Sequence, residues 1–291
     1  MILFSVIIPH YNSLEVLPRA VKSIPEREDI EILIVDNSAK PISSTFFKDR
    51  KNAHILYSKY GKGAGAARNV GLEHAKGKWV LFLDADDFFM PNAFDICYKY
   101  VHTNADIIYF YATSCISETM QPSNRMEDTN QLITQYMLTG DDRGLRYYWS
   151  SPCSKMIRRD LITTNTISFE ERHAANDMIF SLLIGYYASK LDASKETIYC
   201  ATVCEGSLTQ SPTLNNIKDR IDASIQYNKF VKEHNLARYQ KSIMYYLFTT
   251  YKNYGFIPMI RLLGHSIRMG NNPFIGMSRW VHTAKKIKIC K

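Results

Sequence analysis

Residues 79–87 read Trp79-Val80-Leu81-Phe82-Leu83-Asp84-Ala85-Asp86-Asp87, an apolar run of strand type that stops at three carboxylates. A central strand that delivers clustered carboxylates at its carboxyl end puts negative charge at the edge of a sheet, where a divalent cation can hold a diphosphate. Upstream, apolar strands alternate with helix-like stretches: FSVIIP, LEVLPRAVKSI, EILIVD, HILY, AARNVGLEHA and then WVLFLD. Near-continuous apolar strands are buried on both faces, so this order predicts an α/β fold with a mostly parallel central sheet flanked by helices. Ligands in such sheets bind beyond the carboxyl ends of the strands. Pro9-His10-Tyr11-Asn12, Asp36-Asn37-Ser38 and Asp84-Ala85-Asp86 are therefore expected to line one crevice.

The 291 residues, 46% of them hydrophobic, suffice for one large domain and an appendage. No stretch approaches the roughly 20 uncharged apolar residues of a membrane span, so a soluble or peripheral protein is expected. Met1 leads straight into strand-like sequence with no basic region, long apolar core or cleavage site, which predicts a cytoplasmic location. The six cysteines, Cys97, Cys115, Cys153, Cys200, Cys204 and Cys290, are scattered and mostly in apolar surroundings, as suits reduced core thiols. Cys200 and Cys204 have no second pair nearby and make a poor zinc site. The eight histidines show no metal-ligand spacing with one another.

Charge is unevenly placed. None of the 28 Asp and Glu follows Glu233, whereas ten of the 36 Lys and Arg do, so residues 1–233 carry a formal −2 against +10 for the remainder. In that remainder YYLFTTY, FIPMIRLLGHSI, NPFIGMSRWVHT and AKKIKICK interleave basic with bulky apolar residues. Each Lys or Arg near an anionic leaflet contributes about 1 kcal/mol, enough in sum to hold a protein at a membrane surface. The same pattern also suits a helical subdomain that packs its apolar face on the core and leaves the cations solvated. No recognised nucleic-acid module accompanies the charge, so nucleic acid is not an expected partner.

Asp84 and Asp86 flank one small residue, a spacing that turns both carboxylates to the same side of a bent strand end. Magnesium or manganese prefers such hard oxygen ligands and keeps positions open for phosphate oxygens. Gly61, Gly63 and Ala66 fit the G-x-G-x-x-A form of a dinucleotide fingerprint, with Asp84 downstream. Taken alone this would suggest an NAD-dependent doubly wound enzyme. However, the glycines follow the third strand rather than the first, and the downstream acid is a cluster. A donor-binding loop in which Lys62 or Arg68 approaches phosphates accounts for both facts.

SVIIPHYN, ILIVDNS, GAGAARNVGLEHAKGKWVLFLDADD, SSPCSKMIRRDLI and FEERHAANDMIF, in that order, resemble the family 2 glycosyltransferases over roughly the first two thirds of the chain. The resemblance implies the GT-A fold and an inverting, metal-dependent transfer of a sugar from a nucleotide diphosphate donor, such as a UDP-sugar, to an acceptor hydroxyl. The acceptor it implies is a saccharide, polyprenyl-diphosphate-linked, in bacterial surface polysaccharide synthesis at the inner face of the cell membrane. Asp84-Ala85-Asp86 matches the family's DXD motif, which makes Asp84 and Asp86 the metal ligands, with Mn2+ or Mg2+ as the cofactor. Asp36 aligns with the acid that recognises the base or ribose; the family usually has a second acid next, where this chain has Asn37. Pro9, Tyr11 and Asn12 shape the first turn of the donor site, where Tyr11 can stack on a base. Arg68 aligns with a common family arginine.

An inverting transfer needs a general base to take the proton of the attacking hydroxyl. The family places it at the start of a helix after a segment like Lys155-Met156-Ile157-Arg158-Arg159-Asp160-Leu161. That position holds Asn176-Asp177, so Asp177 is the candidate, with Glu170 and Glu171 as the fallback. An acid there could equally be a helix cap. Trp149, in Tyr147-Tyr148-Trp149, is the candidate acceptor-stacking ring, or else a core residue. Cys204 to Thr209 resembles a loop folding over the diphosphate. A catalytically silent nucleotide-sugar-binding scaffold remains the other alternative, against which Asp84, Asp86 and Asp177 speak. The expected organisation is a catalytic domain over 1–212, with a nucleotide-sugar half over 1–113 and an acceptor half over 114–212, then a helical basic region over 213–291.

Overall fold

The computed structural model describes residues 1–203 and 213–275. One nine-stranded sheet runs through the molecule in the order β3-β2-β1-β4-β8-β6-β9-β5, with β7 on the outer part of β6. The strands are β1 (Phe4–His10), β2 (Ile30–Asp36), β3 (Ala53–Tyr57), β4 (Trp79–Phe82), β5 (Phe88–Phe89), β6 (Ile107–Ile116), β7 (Pro122–Ser123), β8 (Lys155–Arg158) and β9 (Leu191–Val203). Helices α1 (Leu17–Lys22), α2 (Gly63–His74), α3 (Ala93–Tyr98), α4 (Glu127–Thr139), α5 (Arg143–Tyr147), α6 (Arg159–Thr164) and α7 (Met178–Tyr187) accompany it. The chain continues through α8 (Leu214–Glu233), α9 (Met244–Tyr254) and α10 (Phe256–Arg268).

The first four strands are parallel, with Ile7 opposite both Leu33 and Phe82. Every residue of β1 and β2 is buried, as their unbroken apolar sequence requires. β3 is the exception to the expectation of two-faced burial, because it lies at the sheet's edge and is partly exposed. β8 then pairs antiparallel with β4 and β6, and β6 pairs parallel with β9, so the sheet is mixed beyond β4. The polar stretch 114–130 is ordered: β6 runs on to Ile116, β7 returns along it, and α4 begins at Glu127. Asn130 ties α4 to β6, because its carboxamide bonds both the N–H and the C=O of Ala112.

Parallel register sets the crevice. His10 is level with Asp36, and Leu83, one residue past β4, still donates its N–H to Ile7 at 3.1 Å. The chain then turns, with the Asp87 N–H bonded to the Asp84 carbonyl at 3.0 Å. Behind this turn Phe82 meets Phe169 and Phe180 edge-on, at 5.1 and 5.5 Å, and those two rings stack on each other at 3.9 Å. All three are buried, and each large apolar side chain so placed contributes roughly 1.5–3 kcal/mol. Their packing ties the tip of β4 to the start of α7.

The C-terminal helices pack on the rest through α8. Ala223, Tyr227 and Val231 cover Met178, Ile179 and Leu182 of α7, while Ile217, Ile221 and Ile225 gather Ile243 and Leu247 with Met259, Leu262 and Leu263. The expectation of a packed helical subdomain fits this arrangement for one face of these helices. No helix among the described residues is long and apolar enough to cross a membrane. Cys97, Cys115, Cys153 and Cys200 are buried free thiols. The loop Cys204 to Thr209 and the segment AKKIKICK lie outside the described residues.

Candidate active site

The three acids after β4 have separate environments. Asp87 is buried and fully engaged: it accepts from the Tyr199 hydroxyl at 2.5 Å and from the Thr202 N–H at 2.7 Å. Burial, then the charges of Asp86 and Asp84, push its carboxyl up to about 8. It anchors the turn to β9. Asp84 and Asp86 remain for a ligand. One oxygen of Asp84 accepts from Arg68 Nη2 at 2.6 Å, yet its side chain is 39% exposed. Asp86 is reached by solvent, although the surrounding protein desolvates it enough that, with Asp84 alongside, its carboxyl is raised. Ala85 between them is buried.

Arg68 was expected at the phosphates but lies 6% exposed behind the strand tip. Its Nη1 donates to the Asn176 carboxamide at 2.9 Å while Nη2 holds Asp84, so one guanidinium joins β4 to the residue before Asp177. The bend of the 170–176 segment onto α2 needs glycines there. A Cβ on Gly65 would lie 2.1 Å from the Glu170 carbonyl, and Gly63 combines a φ of +80° with a Cβ position 2.9 Å from the Arg172 carbonyl. Close backbone approach thus accounts for Gly63 in the pattern that imitates a dinucleotide fingerprint, whereas Gly61 has open space around it and takes a φ of +77°.

A cavity of about 300 Å³ opens beyond the ends of β1 and β2, lined by Pro9, Tyr11, Asn37, Gly63, His173 and Asn216 among others. Asn12 stands beside it, exposed, with φ 52° and its N–H on the Ser38 hydroxyl at 2.8 Å. Lys62 is exposed at the rim, 3.6 Å from Glu171. Asp36 is already committed within the protein. Its Oδ1 accepts from His10 Nδ1 at 2.9 Å and from the Ser38 N–H and hydroxyl at 3.0 and 2.6 Å, and its Oδ2 accepts from the Ile42 N–H at 2.7 Å. Burial alone would raise this carboxyl, but the bonds from Ser38 and His10 outweigh it and hold the group below its ordinary value. The neighbouring Asn37 supplies the cavity's polar wall instead.

Asp177 stands directly before α7 but makes no side-chain cap bond, which removes the capping role as its explanation. Burial raises its carboxyl above the ordinary carboxylate value, against the pull of Arg68. The fallback acids are otherwise engaged: Glu170 pairs with Arg172 and accepts from Gln226, and Glu171 pairs with Lys62. A second cavity, about 420 Å³, is lined by Asp84, Arg125, Tyr148, Trp149, Ser151 and Tyr199 with others. Trp149 is both wall and core, 5.3 Å from the Tyr109 ring and with its indole N–H unpartnered.

Under that wall sits Lys155, fully buried, donating to the Trp149 carbonyl at 3.2 Å. Burial pushes its ammonium down to about 7. The unfolded chain therefore binds more protons than the native one between about pH 7 and the ordinary lysine value near 10.4, and stability rises with pH across that window. Urea unfolding should register less of this gain between about pH 7 and pH 9 in Lys155→Met than in the parent. An equal gain in both would show Lys155 to be charged and compensated.

Sequence reading missed Asn216, His173, Arg125 and Tyr199 as cavity residues. Of these only His173 falls in a stretch that carries the family resemblance, FEERHAANDMIF, where the acids draw attention instead. Asn216 comes from α8, whose Asp219 also accepts from the N–H groups of His173 and Ala174 at 3.1 and 3.2 Å. No group of three or more His, Cys, Asp or Glu side chains that could hold a metal exists among the described residues.

Comparison with known proteins places the fold and the family. The crystal structure of S. aureus TarS 1-349 in complex with UDP-GlcNAc has a TM-score of 0.70 at 20% sequence identity, covering 92% of this chain and 81% of that one. An uncharacterized glycosyltransferase of Haemophilus influenzae is 30% identical over 111 residues, 38% of this chain and 38% of that protein. A cholesterol galactosyltransferase of Borreliella burgdorferi is 26% identical over 225 residues, 71% of this chain and 62% of that protein. The chain thus spans less than two thirds of the length of these curated relatives. The pattern described as Glycosyl transferase family 2 matches residues 5–164, which run from β1 through the acid cluster to the end of α6. With the expected GT-A fold in place, the chain belongs to glycosyl transferase family 2.

Proposed function

We propose that the protein transfers a sugar from a UDP-sugar to a hydroxyl of a saccharide acceptor, with inversion at the anomeric carbon. The observation that carries this reading is the single Arg68 guanidinium that bonds Asp84 and Asn176, the residue before Asp177, with an open cavity beyond β1 and β2 and another beside Asp84. In support, TarS was crystallised with UDP-GlcNAc, and curated relatives include a poly(ribitol-phosphate) β-N-acetylglucosaminyltransferase and a minor teichoic acid biosynthesis protein. We assign the same broad role here, synthesis of a bacterial surface polymer, with a lipid-linked saccharide as acceptor.

The base and ribose enter the cavity beneath Tyr11, with Asn37 and Asn216 offering carboxamide donors and acceptors. The diphosphate extends toward Asp84 and Asp86, where Lys62 can exchange Glu171 for phosphate at the rim. Two carboxylates suit a magnesium or manganese ion, because such ions keep waters and substrate phosphates as their remaining ligands. That fits the residues present: Asp86 is open to solvent and feels the Asp84 charge, and Arg68 engages one oxygen of Asp84. When bound, the ion supplies charge neutralisation for the departing diphosphate. The acceptor sugar stacks against Tyr148 and Trp149, its hydroxyl attacks the anomeric carbon opposite the diphosphate, and Asp177 takes the proton. A raised carboxyl is well suited to that step, since a base works best with its pKa nearer the operating pH.

A thermal-shift screen of nucleotide sugars with and without manganese tests the reading. At 100-fold excess over Kd a bound donor stabilises by about 2.7 kcal/mol. A shift with UDP-sugar plus manganese is expected; a shift with NADH and none with any nucleotide sugar would overturn the assignment.

A further inference from the structure

We propose that the corner between α9 and α10 docks on a lipid leaflet that carries anionic headgroups. Residues 251–257 are exposed without interruption, and they include Tyr251, Tyr254, Phe256 and Ile257. Phe256 and Ile257 are 62% and 65% exposed, among the most open large apolar side chains in the described structure. The corner is sharp because Gly255 alone, at φ +85°, separates the two helices.

The apolar face continues along both helices. Tyr245 and Phe248 extend it on α9, and Ile260 and Ile267 extend it on α10. The adjoining part of the same apolar stripe on α10 packs, through Met259, Leu262 and Leu263, on the cluster shared with α8. Thus the apolar stripe of α10 is covered along one edge within the described residues and open along the other. Scattered exposed apolar residues are normal on a protein surface, but a continuous set of this kind marks an interaction site.

Charge selects the occupant. Lys252, Arg261 and Arg268 are exposed among these apolar residues, and no Asp or Glu occurs anywhere after Glu233. Pairing of this face with a second copy would set like charges against each other. An anionic leaflet satisfies both components at once, taking the rings and aliphatic chains at the headgroup boundary and the cations at the phosphates.

Co-sedimentation with vesicles tests the proposal without donor or acceptor, so its outcome is separate from that of the transferase reading. The full chain should bind vesicles of phosphatidylcholine with about a quarter phosphatidylglycerol, bind phosphatidylcholine alone far less, and release as salt is raised. Phe256→Ser with Ile257→Ser should weaken binding at least about tenfold, because most of the insertion energy comes from buried apolar area. Arg261→Gln with Arg268→Gln should instead remove the preference for phosphatidylglycerol. Melting temperature and the thermal shift given by donor should stay as in the parent, since these side chains are in solvent and outside both cavities. Absent vesicle binding, or undiminished binding by Phe256→Ser with Ile257→Ser, would overturn the proposal. A parent dimer that this same variant dissociates would overturn it too, assigning the face to self-association.

Discussion

Asp177→Asn is expected to lower kcat/KM for sugar transfer by about 10²- to 10⁴-fold, the range that a positioned general base contributes. The change keeps size and polarity, and it removes only the capacity to accept a proton. Because Asp177 makes no cap bond, α7 should start where it does now and the fold should be unaffected. The donor cavity does not include it, so the thermal shift given by UDP-sugar should stay as in the parent. In the parent, activity should fall as pH drops through the Asp177 carboxyl, and that limb should lie above the ordinary carboxylate value because burial raises the group. Unchanged turnover in Asp177→Asn would remove it as the base and return attention to Glu171, the fallback acid that only an exposed lysine holds.

Asp86→Ala should act on binding. Its side chain is solvent-facing at the strand tip and makes no structural bond comparable to those of Asp87, so little stability should be lost. What should be lost is the manganese-dependent part of donor affinity, by about 10- to 100-fold, as for other losses of metal support. Titration of UDP with and without manganese separates the two contributions: the difference between them should shrink in the variant, while affinity for UDP alone changes little. An undiminished manganese effect would place the ion elsewhere or remove it from the mechanism.

Much of this arrangement is legible in the chain itself. Unbroken apolar runs locate β1, β2 and β4, because strands buried on both faces leave little room for polar residues. The Lys155 segment, which forms β8 and opens α6, and the Asn176-Asp177 step before α7 are likewise visible. Other features depend on partners far along the chain. Nothing local distinguishes Asp87 from Asp84 and Asp86; its Tyr199 and Thr202 partners lie more than 110 residues away. Which of Asp36 and Asn37 faces the cavity depends on how the turn after β2 closes on His10 and Ser38. A lysine in a strand usually signals a surface, and only the fold reveals Lys155 as buried under Trp149. Asn216 belongs to an ordinary amphipathic helix, and only its docking on α7 brings it to the donor cavity.

That helix has a thermodynamic consequence. α8 supplies Asn216 to the cavity we propose for the nucleotide and holds the 173–174 backbone through Asp219, while its other contacts carry α9 and α10. Any event that tilts α8 therefore reshapes the pocket for the activated sugar. Linkage is reciprocal, so whatever binding at the far helices does to nucleotide affinity, nucleotide occupancy must do to that binding by the same factor.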